Sequence, residues 1–144
     1  MPILSNNNTL ASLCKWTISL FTILMVVTAA LAGNGIFRSG TDAWLVTGHM
    51  HLGNLLFVLA VAQLVACFML YSRKVVGNGV MITSALVFLF TFGQIGLGYS
   101  TRSHMVALVG WHIALGVALT ASTAILSTML WLSAANNRGG NTAG

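Results

Sequence analysis

Charge is what this 144-residue chain has least of. Only 5% of its residues are charged, against about 25% in an ordinary soluble domain, while 57% are hydrophobic. A monomer of that composition would not stay dissolved in water, which leaves lipid as its medium. Acid is scarcer still: Asp42 is the only carboxylate side chain, set against six basic residues for a net charge of +5. That scarcity argues against a hydrolase, which needs an acid–base or nucleophile constellation. It argues equally against a transporter that relays protons through intramembrane acids. The basic residues are scattered singly between apolar runs and form no stripe, so they read as topology signals and no nucleic-acid partner is expected. Cysteine is also sparse, and Cys14 and Cys67 fall in no metal-binding or redox spacing.

What the chain does have is long apolar runs. A membrane-spanning helix needs roughly 20 mostly apolar residues. Four runs qualify, from about Trp16 to Ala32, Trp44 to Tyr71, Val80 to Tyr99 and Met105 to Ser133. Between them lies turn punctuation: Gly33-Asn34-Gly35, then Ser72-Arg73-Lys74 with Gly77-Asn78-Gly79, then Ser100-Thr101-Arg102-Ser103. Trp16, Trp44, Tyr71, Tyr99 and Trp131 stand near run ends, where amphipathic rings prefer the membrane interface. Ala30-Leu31-Ala32 resembles a signal-peptidase site, but the run before it is read as the first span. The expectation is an all-α, integral membrane, up-down-up-down four-helix bundle over residues 16–134, with polar tails at 1–15 and 135–144.

Lys15, Arg73, Lys74 and Arg138 fall on one side of such a bundle, and Arg38 and Arg102 fall on the other with Asp42. By the positive-inside rule the first group, and both termini, face the cytoplasm across an inner membrane.

The chain also repeats itself. A shift of 63 residues carries Gly33, Gly35, His49, Leu52 and Gly53 onto Gly96, Gly98, His112, Leu115 and Gly116. Each copy reads G-x-G, thirteen residues, then H-x-x-L-G. The copies are two helical hairpins of the same orientation, expected to be related by a pseudo-twofold axis along the membrane normal.

Ionisable residues in a span are costly and tend to carry function. All four histidines, His49, His51, His104 and His112, lie toward the outer end. His49 is 22 residues from Tyr71 and His112 is 19 from Trp131. These separations correspond to about 33 Å and about 28 Å of helix, so the two imidazoles sit at similar depth. On the pseudo-twofold they face each other across the bundle, an arrangement that can ligate a haem iron from both sides. Gly53 and Gly116, one helical turn on, would leave room for a flat macrocycle. Arg38 and Arg102 would pair with its propionates, and Gln94, one turn from Gly98, could touch it. His51 is the alternative ligand to His49, but it is turned about 200° round the helix, and the repeat selects His49. His104 reads as a loop residue. A zinc or iron site built from the histidines is the weaker reading, since only Asp42 could join them. For Gln63 and Gln94 alike the default reading is a structural amide bonding between helices.

The segments Phe92-Gly93-Gln94-Ile95-Gly96-Leu97-Gly98 and His112-Ile113-Ala114-Leu115-Gly116, with His49 opening the second helix, resemble one four-helix half of haem A synthase. They also resemble small four-helix haem-binding membrane proteins of similar design. In that family each half carries a haem-binding histidine pair near the outer face, and by position the pair here is His49 and His112. The family enzyme has eight helices, an acidic residue and often a loop cysteine pair, whereas this chain has four spans, Asp42 alone and no loop cysteine. The resemblance therefore implies a haem-binding bundle rather than haem hydroxylation.

The expected function is a protein binding one b-type haem, acting in electron transfer or as a subunit of an electron-transfer complex. A pigment-binding subunit holding bacteriochlorophyll, or a structural subunit, is the alternative. Expected partners are the bilayer, further membrane subunits or a second copy, and a quinone, because one outer haem does not span about 30 Å of hydrocarbon.

Overall fold

The computed structural model describes residues 2–37, 43–102 and 107–139, with side chains over 7–34, 44–101 and 107–133. Four helices follow in order: α1 Pro2–Phe37, α2 Ala43–Ser72, α3 Asn78–Arg102 and α4 Ala107–Gly139. The one proline is the first residue of α1, where its missing N–H costs no helical bond. All four helices contain a stretch long and apolar enough to cross a membrane: Asn7–Asn34, Trp44–Ser72, Asn78–Thr101 and Ala107–Ser133. The chain is an all-α four-helix bundle of the multi-pass membrane class.

Helices adjacent in the chain pack on one another, and α1 closes the ring against α4. The diagonal pairs, α1 with α3 and α2 with α4, make no backbone approach among the described residues. The cross-section is thus a square, with a core of side chains such as Ile18, Phe21, Leu56, Leu70, Val87, Leu119 and Leu126. Outward faces carry Val26, Val58, Phe92, Trp111 and Val117, all well exposed, as lipid-facing positions require.

The 63-residue repeat reappears as a burial register. Thr28 and Thr91, Leu56 and Leu119, and Ala60 and Thr123 are equivalent pairs, and every member is buried. Thr28 and Thr91 even make the same bond, each hydroxyl donating to the carbonyl four residues back, Leu24 O at 2.7 Å and Val87 O at 2.7 Å. The bundle is therefore two related hairpins.

The helices overrun the expected spans. The segment read as a polar N-terminal tail is the first part of α1, and α4 continues to Gly139. Composition hid this extension, because Ser5 to Thr9 are all polar. Tertiary contacts hold it in place: Leu10 and Ala11 pack against the core, and Arg73 Nη1 donates to Asn7 Oδ1 at 2.9 Å. α2 ends in a Schellman motif. Val75 N donates to Leu70 O and Lys74 N to Tyr71 O, both at 2.9 Å, with Lys74 in the left-handed region at φ 58°. The hydrophobic contact that accompanies such caps comes from Leu70 and Val75, which join the core. The same end of the bundle holds Lys15, buried, with its ammonium 5.0 Å from the centre of the Trp131 ring, and Trp16 meets Trp131 edge-on at 5.8 Å.

Candidate functional site

The site lies at the opposite end, between diagonal helices. His49 on α2 and His112 on α4 are both half-buried, with ring centres 6.1 Å apart and planes inclined at 75°. No backbone contact links these two helices, so the imidazoles themselves span the bundle axis. His51 stands on the exposed face of α2, as a turn of about 200° from His49 requires.

His49 has a fixed tautomer. Its Nδ1 lies 3.0 Å from the carbonyl oxygen of Thr28 on α1. A carbonyl only accepts, so Nδ1 carries the proton and Nε2 is left with a free lone pair. His112 differs: its Nδ1 is buried and has no partner among the described residues. Thr91 stands 21 residues before His112, as Thr28 does before His49, yet the backbone group beside the His112 ring is that of Gln94, so the two hairpins orient their histidines differently.

Gln94 on α3 is placed against this pair. Its Nε2 donates to the backbone carbonyl of His112 at 2.7 Å, so the amide fixes α4 at His112. The same side chain covers Gly116: a Cβ there would stand 3.1 Å from Gln94 Nε2. The space expected beside Gly116 is thus taken by Gln94, whereas Gly53 borders open space. Gly98 provides the bed for the His112 ring, and a Cβ added there would meet His112 Cε1 at 3.4 Å. Arg38, Asp42 and His104 lie outside the described residues, and Arg102 ends α3 with its side chain outside them. Among the described residues no group of three or more His, Cys, Asp or Glu stands together.

Of the two amides expected to bond between helices, Gln94 does so, whereas Gln63 Nε2 donates to Cys67 Sγ one turn along its own helix at 3.3 Å. Thr28 was overlooked although the 63-residue shift already pairs it with Thr91. Its part is played by the backbone carbonyl, and no residue type advertises a carbonyl.

No family model, curated protein or solved structure matches this chain.

Proposed function

We propose that the chain is a b-type haem-binding integral membrane protein that passes electrons, alone or as a subunit of an electron-transfer complex, with His49 and His112 as the residues that would hold one haem. The observation that carries this reading is the diagonal pair itself. Metal–imidazole bonds run about 2.0–2.1 Å, and adding two ring radii of about 1.1 Å puts ring centres about 6.3 Å apart on a shared metal. The observed separation is 6.1 Å. His49 fits the same group: its Nε2 is free, as a metal ligand's must be, and its other nitrogen is oriented by a carbonyl in the manner usual for metal-bound histidine. Gln94 fills the space beside Gly116, so the open side for a flat ring is that of Gly53. The resemblance of His49 and the Gly93–Gly98 and His112–Gly116 segments to half of haem A synthase points to the same two residues.

Haem, when bound, supplies the one-electron chemistry that this chain's own side chains lack. The protein's part would be to hold the haem through His49 and His112, exclude water with the apolar helices and orient His112 through Gln94. Arg38 and Arg102 are the cations available to the propionates at this end. A pyridine haemochrome spectrum of the purified chain is the test. One haem b per chain is expected; no tetrapyrrole, or a band far to the red from bacteriochlorophyll, overturns the reading.

Gln94→Leu places in the second hairpin the residue that the first carries at the equivalent position, Leu31. It removes one interhelical bond, worth about 0.6 kcal/mol on average in a membrane protein. Haem retention with about threefold weaker binding is therefore expected in competition with apomyoglobin. A complete loss of haem would mean that the amide does more than position α4.

The histidine end faces away from the cytoplasm in this reading, with both termini and the Arg73–Lys74 turn inside. A cysteine introduced at Gly77, with Cys14 and Cys67 replaced by alanine, should react with an impermeant maleimide only in inverted vesicles. Labelling in right-side-out vesicles would reverse the topology. With the haem in the outer leaflet, the electron partner is a quinone in the membrane, an outer-face protein or a neighbouring subunit.

A further inference from the structure

The two cysteines belong to a second polar cluster, about 27 Å from the histidines along α2, taking 18 residues from His49 to Cys67 at 1.5 Å each. Cys14 of α1, Gln63 and Cys67 of α2 and Ser84 of α3 meet inside the core, none more than 1% exposed. Both sulfurs are free thiols. Cys14, Ser84 and Gln63 all approach the Cys67 sulfur, and Gln63 Nε2 donates to it at 3.3 Å. Among the described residues, Gln63 Oε1 has no hydrogen-bond partner, and Ser84 Oγ meets no acceptor other than the Cys67 sulfur.

Two observations separate this cluster from ordinary packing. The first is Ser84. The other buried hydroxyls, on Thr28, Thr83, Thr91, Ser122 and Thr123, each donate to a carbonyl three or four residues back on their own helix. Ser84 makes no such bond and lies instead beside the Cys67 sulfur. The second is the repeat. A shift of 63 residues takes Gln63 and Cys67 onto Leu126 and Leu130, and takes Phe21 onto Ser84. Leu126, Leu130 and Phe21 are all buried core residues. The bundle keeps its symmetry at the histidines and abandons it here, exchanging apolar side chains for sulfur, hydroxyl and amide. A thiol sulfur is a weak acceptor, so a hydroxyl buried against it is poorly satisfied unless that sulfur becomes a stronger one.

We infer that Cys14 and Cys67 form a two-coordinate site for a soft monovalent ion of the copper(I) class, with Ser84 and Gln63 donating to the Cys67 sulfur. Thiolates select such ions, and two sulfurs on different helices can hold one without a third ligand. The balance is Cu⁺ plus two thiols giving a bis-thiolate copper(I) anion and two protons. No electron is transferred. A thiolate accepts stronger hydrogen bonds than a thiol, which gives the Ser84 hydroxyl a stronger acceptor. Lys15 follows Cys14 directly and is itself buried, so a cation stands at the same level of the bundle to offset the anion. A single buried water would satisfy the stranded oxygens but gives no reason for two sulfurs. This site does not depend on the haem reading.

The test uses the full chain in detergent under argon, titrated with copper(I) against a chromophoric copper(I) chelator. One copper per chain is expected, with two sulfur neighbours and no nitrogen by X-ray absorption, and both thiols protected from alkylation. Cys14→Ala and Cys67→Ala each abolish the uptake, while His49→Ala and His112→Ala leave it intact. Ser84→Ala weakens it by about 10–100-fold, the range usual for an outer-shell partner. Failure of the unmutated chain to compete for copper overturns the proposal. So does copper that follows the histidines, or a native mass two hydrogens short, which marks a disulfide. Because thiol protection is read on the unmutated chain, a cysteine variant that fails to fold leaves the test standing.

Discussion

His112→Ala is expected to strip the haem from the purified chain, and His49→Ala to do the same. A b-type haem has no covalent tie to its protein, so its retention depends on axial bonds and on the cavity round the ring. Each imidazole comes from a different hairpin, and α2 and α4 make no backbone approach among the described residues, so the ring pair bridges them at this level. Losing either leaves a one-sided site, and Gln94 is already committed to the His112 backbone. Measured as haemochrome per mole of protein, both alanine variants should fall to background. His51→Ala should retain the full complement, since its ring points away from the axis. A residue of haem in one variant, with the low-spin bands replaced by high-spin ones, would still identify that histidine as a ligand. Unchanged low-spin spectra in both would end the proposal and leave the membrane fold untouched.

The second large effect belongs to a glycine outside the repeat motif. Gly93 on α3 has the tightest surroundings among the described glycines: a Cβ there would lie 2.8 Å from Leu115 Cδ2 on α4. Alanine can be accommodated by a rotation of the Leu115 side chain, but leucine cannot. Gly93→Leu forces α3 and α4 apart, and overpacking of this kind costs typically about 1–3 kcal/mol. The displacement bears directly on the site, because Gln94 is the next residue and Leu115 is one turn from His112. The variant should insert into the membrane, melt earlier in detergent and carry much less haem. Gly96→Leu is the control. It lies one turn along the same helix, but a Cβ there meets nothing within 4 Å. Equal losses in the two variants would show that close packing of α3 on α4 is not what the glycine protects.

The burial pattern explains how much could be read in advance. Span number and hairpin order follow from apolar length and turn residues, which are properties of the chain in one dimension. The histidine pair was legible for a related reason: a repeat places equivalent residues at equal depth without any knowledge of packing. The polar start of α1 was misjudged because its helix rests on Leu10, Ala11 and the bond from Arg73 to Asn7, contacts made with other parts of the fold. Gln63 and Gln94 looked alike as amides in spans, and nothing in their neighbours says which one reaches another helix.

The sequence by itself thus determined four apolar spans, two equivalent hairpins and two histidines at one level. Tertiary structure decided that the Thr28 carbonyl orients His49, that Gln94 grips the backbone of His112, and that Cys14 and Cys67 share one buried cluster with Ser84. The physical reason is that such contacts depend on the rotation and axial offset of each helix against its neighbours. Small residues such as Gly93 and the fit of side chains set those quantities jointly, and no single segment encodes them.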